Sequence, residues 1–127
     1  MSTGLNIAQL QAVHHTDGPS LVLAGAGSGK TRVITQKIAH MINGGMPAEG
    51  IAAITFTNKA AAEMRERTKQ LTGKRAKDTT ICTFHALGVR LLREHGTVLG
   101  LKEQFSIMGT DDVLSIIKDC GGTTDAA

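Results

Sequence analysis

Short apolar runs and helical repeats follow one another along this chain. Residues 20–24 and 51–56 are compact apolar runs typical of buried strands, and residues 79–83 are rich in β-branched side chains, which favour strands. After each run, apolar residues recur at intervals of three or four, which is the period of one helix face. The pattern therefore predicts three successive units, each a strand followed by a helix.

The same reasoning places the helices. A short helix is expected over residues 6–13, with Asn6 as its cap, and a last one over residues 110–119, where two aspartates suit the positive helix start. The three central helices are predicted from Lys30 to a stop at Gly44, from about residue 58 to about residue 71, and along residues 84–92.

Alternating strands and helices predict an α/β fold with parallel strands joined by helical crossovers. Such sheets collect ligand-binding groups at the carboxyl ends of their strands, which are here residues 24, 56 and 83. The chain of 127 residues is long enough for one domain with a single core.

A glycine-rich loop, AGAGSGKT, occupies residues 24–31 between the first predicted strand and the following helix. Glycine side chains leave backbone N–H groups free to curl around a phosphate, and the helix start adds positive potential. The context disfavours a glycine-rich turn that ends in Lys-Thr by chance. The predicted phosphate ligands are Ala24, Gly25, Ala26, Gly27, Ser28, Gly29, Lys30 and Thr31.

Lys30 and Thr31 have distinct expected roles in this loop. The Lys30 ammonium would reach the β- and γ-phosphates of a nucleoside triphosphate, and the Thr31 hydroxyl would ligate the Mg²⁺ that bridges them. The strict glycine pattern begins with Gly, whereas this loop begins with Ala24.

Gln9 has two interpretations that the residues alone leave open. Its amide could pair a donor and an acceptor with the edge of adenine. Because it lies three positions after Asn6, it also fits a capping box, in which it only satisfies the helix start. The residues by themselves favour the cap.

The net charge and the cysteine spacing narrow the possible functions only slightly. The formal charge of +3 is compatible with anionic partners without requiring them, and Cys82 and Cys120 show neither zinc-site nor disulfide spacing. The sequence has no leader-like start and no apolar run long enough to cross a bilayer. We therefore expect a cytoplasmic protein with reduced thiols and no membrane partner.

Two features bear on nucleic acid, each with a structural alternative. Phe56 and Phe84 follow predicted strands, where an exposed ring could stack on a base, although phenylalanine is usually buried. Residues 59–78 carry seven lysines and arginines against three acids, which could follow a phosphate backbone or form an ordinary solvated helix face.

Four segments together carry a family resemblance: LNIAQLQAV at residue 5, LVLAGAGSGKTRVIT at 21, IAAITFTNKAAAEMRER at 51 and TFHALG at 83. In this order they resemble the superfamily-one DNA helicases of the Rep, UvrD and PcrA type, and most of all the Rep group. The resemblance spans residues 5–119 and implies a P-loop NTPase fold of the RecA-like kind, of which this chain would be the incomplete first motor domain.

The resemblance also implies function. Its members are ATP-dependent, use Mg²⁺ and move 3′ to 5′ on single-stranded DNA, with replication or repair proteins as partners. It favours Gln9 as the adenine reader and places Arg32 near the nucleotide. It further implies that residues 1–108 begin the ATP-binding domain and that residues 109–127 begin an inserted helical subdomain. The implied DNA contacts are Phe56, Thr57, Asn58, Lys59, Thr83, Phe84 and His85.

Two functional hypotheses follow. The first is the nucleotide-binding front portion of a helicase, whose parent protein hydrolyses ATP. The second is a nucleotide-binding or single-strand-binding module that never turns over, or the remnant of a decayed helicase gene.

The 127-residue chain alone should hydrolyse ATP negligibly, with or without single-stranded DNA. Attack of water on the γ-phosphate needs an acid that holds Mg²⁺ and groups that orient the water and stabilise the transition state. The sequence contains no adjacent Asp-Glu pair of the kind that the resembled helicases carry in Walker B. A phosphate-release assay checks this, and robust DNA-stimulated turnover would contradict it.

Overall fold

A computed structural model of the chain describes residues 4–27 and 29–121. They divide into two compact units with the boundary after Gly88. The elements in chain order are α1 (Ile7–His14), α2 (Lys30–Asn43), β1 (Ala52–Thr55), α3 (Asn58–Thr72), β2 (Thr80–Thr83), α4 (Phe84–His95) and α5 (Thr110–Gly121).

The two strands confirm the predicted α/β class and parallel pairing. β1 and β2 run parallel, with Ala52 opposite Thr80 and Thr55 opposite Thr83, and α3 connects them. Both strands therefore end at the same edge of the sheet, one residue before Phe56 and Phe84.

The prediction of a first strand over residues 20–24 is wrong. The segment adopts no regular structure, and the side chains of Leu21 and Leu23 are 84% and 87% exposed. A run that is apolar on both faces forms a strand when neighbouring strands bond its N–H and C=O groups and cover both faces. Among the described residues, only β1 and β2 form a sheet, and they bond to each other.

Helix boundaries follow the local signals in the sequence. α3 begins after Thr57, whose hydroxyl accepts a hydrogen bond from the Ala60 N–H at 3.1 Å. It ends at Gly73, whose φ of +63° favours glycine. α2 likewise stops before Gly44, and α5 begins at Thr110 with Asp111 in its first turn, as predicted.

The core of the first unit lies between the sheet and the helices α2 and α3. The side chains at its centre are buried and mostly aliphatic, so the hydrophobic effect holds the two helices on the sheet. They are Ile38, Ile42, Ile51, Ala53, Met64 and Ile81.

The second unit has less burial among its described residues. Gly96 is buried against Leu101, and the guanidinium of Arg93 lies 5.0 Å from the centre of the Phe105 ring. Apolar residues of α5, such as Ile116 and Ile117, are about half exposed. Each described helix falls short of the length and apolar character needed to span a membrane.

Four threonines are buried in the first unit, and three of their hydroxyls have hydrogen-bond partners. The Thr83 hydroxyl accepts from the Ala86 N–H at 3.1 Å. Thr35 donates to the carbonyls of Thr31 and Arg32 at 3.0 and 3.1 Å, and Thr72 donates to the carbonyl of Thr68 at 2.8 Å. The Thr68 hydroxyl is fully buried and has no hydrogen-bond partner among the described residues. A buried hydroxyl without a partner destabilises the fold.

Thr68→Val should therefore raise the free energy of unfolding by about 1 kcal/mol, because it removes the unpaired hydroxyl and keeps the branched shape. Thr72→Val is the matched control, and losing its hydrogen bond should lower the free energy by about 1 kcal/mol. Urea denaturation followed by circular dichroism measures both changes. Equal destabilisation by the two variants would contradict this account of the core.

Candidate functional site

The glycine-rich loop turns sharply before α2. Gly27 and Gly29 have φ values of +73° and +82°, in the left-handed region that side-chain-bearing residues rarely adopt. The chain turns at Ala26 and Gly27 and enters α2 at Lys30. The predicted ligand Ser28 lies outside the described residues.

The start of α2 is suited to an anion. Gly29 is its N-cap residue, no side chain of the described residues caps this end, and its first turn contains no acidic residue. The first N–H groups of a helix lack intrahelical acceptors and carry the positive end of the helix dipole. Lys30, the first helical residue, adds an exposed ammonium at the same place.

A cavity of about 490 Å³ lies between α1, residues 20–24 and α2. This volume falls in the usual range for small-molecule sites, and the walls combine apolar surface with a few polar groups. Of the predicted nucleotide ligands, Gln9, Ala24 and Lys30 line it. The described residues that line it are Asn6, Ala8, Gln9, Ala12, Ser20, Val22, Leu23, Ala24, Lys30, Val33, Ile34 and Lys37.

Gln9 closes a capping box at the start of α1. The Asn6 side chain accepts from the Gln9 N–H, and the Asn6 N–H donates to Gln9 Oε1, both at 2.9 Å. The cap favoured by the residues is therefore confirmed. Gln9 Nε2 also lies 3.4 Å from where a Cβ on Gly29 would be, so the amide faces the loop. Because a carbonyl oxygen has two lone pairs, the cap leaves the adenine prediction chemically open.

Thr31 and Arg32 lie on other sides of α2 and outside the cavity lining. Thr31 is half-buried, about 100° around the helix from Lys30, toward the side that buries Thr35 and Ile38. Arg32 extends to the N-terminal segment, where a Cβ on Gly4 would come within 2.5 Å of its Nη2. Their predicted roles toward metal and nucleotide stay predictions.

A second cluster lies at the carboxyl edge of the sheet. Phe56 and Phe84 are 83% and 54% exposed, and their ring centres are 5.2 Å apart with a tilt of 41°. The usual expectation that phenylalanine is buried is wrong for both rings. Parallel pairing of Thr55 with Thr83 brings them together, because each ring follows its strand directly.

The other predicted DNA contacts divide into caps and exposed groups. The hydroxyls of Thr57 and Thr83 accept hydrogen bonds from Ala60 N and Ala86 N, each at 3.1 Å, so they fix the starts of α3 and α4. The remaining predicted contacts, Asn58, Lys59 and His85, are exposed beside the two rings in sequence.

The basic stretch 59–78 does not form one surface. Lys59 lies at the start of α3, whereas Lys74 and Lys77 follow its end, about 22 Å away for a helix of 15 residues. Arg65 donates to the carbonyl of Ile81 at 2.7 Å and so binds the edge of β2. Of these four basic residues, Lys59 is the one that lies beside the aromatic pair in sequence.

Comparison with known proteins gives the family. The model of the UvrD/REP helicase N-terminal domain matches residues 5–126. The chain belongs to this family. It is 54% identical over 117 residues to the ATP-dependent DNA helicase Rep of Escherichia coli (strain K12), covering 91% of this chain and 17% of that protein. It is 51% identical over 117 residues to the ATP-dependent DNA helicase PcrA of Bacillus subtilis (strain 168), covering 91% of this chain and 16% of that protein. The chain thus spans about a sixth of these relatives.

Sequence reasoning missed Lys37 in this member of the UvrD/REP family. Its Nζ donates to the Ala12 carbonyl of α1 at 3.1 Å, and both residues line the cavity. A signal was present in the spacing, because Lys37 lies seven positions after Lys30 and so on the same helix face. The partner in α1 is 25 residues away and could not be identified without the fold.

Proposed function

We propose that this chain is the first, nucleotide-binding portion of an ATP-dependent DNA helicase that moves 3′ to 5′ along single-stranded DNA. The observation that carries the proposal is the arrangement at the start of α2. A left-handed Gly29 leads into an uncapped helix whose first residue, Lys30, lines a cavity with Gln9. The names of the related proteins support ATP and DNA as the ligands.

The residues present suit ATP with Mg²⁺. Lys30 and the first amides of α2 would hold the β- and γ-phosphates, and Gln9 would pair with adenine. The described residues contain no group of three or more His, Cys, Asp or Glu placed to hold a metal. Mg²⁺ would therefore bind mainly through phosphate oxygens and water, with Thr31 as its ligand from this chain. Bound there, the ion would neutralise charge on the phosphates.

The aromatic pair would form the first part of a path for single-stranded DNA. Exposed rings at a strand end offer stacking surfaces that tolerate any base, and Lys59 would meet a neighbouring phosphate. Asn58 and His85 would add polar contacts to the strand. Phe84 would form part of the stacking surface, and Thr57 and Thr83 would fix the helix starts beside it.

The wider assignment rests on family membership. The fold would be the P-loop NTPase fold of the RecA-like kind, with residues 1–108 in the ATP-binding domain and residues 109–127 opening an inserted helical subdomain. The parent protein would be a cytoplasmic enzyme of DNA replication or repair.

Lys30→Met should weaken binding of ATP by about tenfold to a hundredfold, because a charge-assisted contact to the phosphates is lost while the side-chain stem remains. Titration of a fluorescent ATP analogue in the presence of Mg²⁺ measures this. Lys102→Met, an exposed lysine of the second unit, is the control and should bind as the unaltered chain does. Affinity of the Lys30 variant within about twofold of the unaltered chain would refute the phosphate site.

Phe56→Ala should lower affinity for labelled oligothymidine by about tenfold, with an unchanged dependence on salt, because it removes stacking and no phosphate contact. Lys59→Ala should reduce the slope of log affinity against log salt by about 0.7, the value for one phosphate contact on a single strand. Fluorescence anisotropy at several salt concentrations measures both quantities.

Lys74→Ala is the matched control for Lys59→Ala, since it removes the same charge at the other end of α3. It should leave both affinity and slope nearly unchanged. If the Lys74 variant lost as much slope as the Lys59 variant, the strand would not follow the edge that carries Phe56.

A further inference from the structure

α1 is too short to be stable by itself. It has eight residues and buries only Val13 among them, and isolated helices below about 12 residues are marginal in water. Its position on the first unit therefore depends on contacts outside the helix. The capping box at Asn6 closes the amino end, but it lies within the segment and does not attach it to α2.

At the other end, α1 is held by the buried Val13, by the His14 ring 4.6 Å from the ring of His40 in α2, and by a polar bond from Lys37. The Lys37 ammonium donates to the carbonyl of Ala12, one of the last four carbonyls of α1, at 3.1 Å. Of these carbonyls, that of Gln11 accepts from the His15 N–H at 3.1 Å. The last carbonyls of a helix form the negative end of its dipole, so a cation binds there favourably. Lys37 is itself half-buried, which limits competition from water.

This attachment controls the face of α1 that carries Gln9. Ala12 lies three residues after Gln9, so both are on one side of α1, and both line the cavity. Across the cavity, Lys37 lies two turns after Lys30 on α2. The apolar and ring contacts hold α1 against α2, and the Lys37 bond sets the position of the Ala12 carbonyl, and with it the face that carries Gln9, relative to the start of α2.

We infer that Lys37 is a positioning residue for base selectivity, an inference that rests on the proposed nucleotide site. Pairing with adenine needs a donor and an acceptor of one amide aligned at the same time, and hydrogen bonds weaken steeply with misalignment. Phosphate binding uses the loop and the start of α2, which do not depend on the Ala12 contact. Loss of the Lys37 ammonium therefore removes discrimination between bases and leaves phosphate affinity intact.

The test compares ATP, inosine triphosphate and tripolyphosphate as competitors of a fluorescent nucleotide. Inosine carries a carbonyl where adenine has its amino group, so it reverses the hydrogen-bond pattern that Gln9 would read. The unaltered chain should prefer ATP over inosine triphosphate by on the order of tenfold. Lys37→Met should bring that ratio to within about twofold of one and change tripolyphosphate affinity by less than about twofold.

Two further variants separate positioning from general stability. Lys37→Arg keeps a cation that reaches the carbonyl and should restore most of the ATP preference. In a Gln9→Ala background, Lys37→Met should have no further effect on the ratio, since both act through one amide. If circular dichroism shows that the Lys37→Met variant does not fold, Lys37→Gln is used in its place. The glutamine side chain is polar, but it is shorter than lysine and does not reach the Ala12 carbonyl.

Several outcomes overturn the inference. They are an unchanged ATP preference in the Met variant, an equal loss of affinity for all three competitors, and a further drop in the ratio in the Gln9→Ala background. If the unaltered chain binds tripolyphosphate but does not distinguish the two nucleotides, the inference fails and the phosphate site stands. If it binds none of the three, both fail.

Discussion

The packing of α2 against the sheet and α3 is the constraint on which the candidate site depends. Ile38 and Ile42, in the second half of α2, are 2% and 7% exposed, and their burial fixes the direction of the whole helix. A helix is stiff over 14 residues, so its start is placed by the core at its far end. Lys30 is consequently held at the cavity although the residue itself is exposed.

Local signals were sufficient to predict most of the secondary structure and the glycine-rich turn that leads into α2. Helix caps such as Asn6 and Thr57, and helix-ending glycines such as Gly44 and Gly73, form hydrogen bonds with groups only two to four residues away along the chain. The two strands that formed, β1 and β2, are connected by α3, and a single crossover places them side by side. Sequence reasoning works where the partner group is close along the chain.

Features that depend on distant partners could not be predicted in the same way. Residues 20–24 have the composition of a buried strand, but composition does not provide the strands that must pair with it. Phe56 is exposed because it directly follows the end of β1 at the edge of the sheet. The general tendency of phenylalanine to be buried takes no account of that position. The bond from Lys37 to Ala12 joins residues 25 positions apart, and only the packing of α1 on α2 creates it.

The capping box and the proposed adenine contact of Gln9 support each other physically. A free glutamine side chain loses about 1.5 to 2 kcal/mol of conformational entropy when it is fixed in one rotamer. In this structure the bond from the Asn6 N–H to Gln9 Oε1 has already ordered the side chain as part of helix formation. A base that pairs with the amide then meets an oriented group, and less of the pairing free energy is spent on ordering it. Gln9, in the first turn of α1, is therefore well prepared to recognise a ligand, provided that α1 itself is held in place.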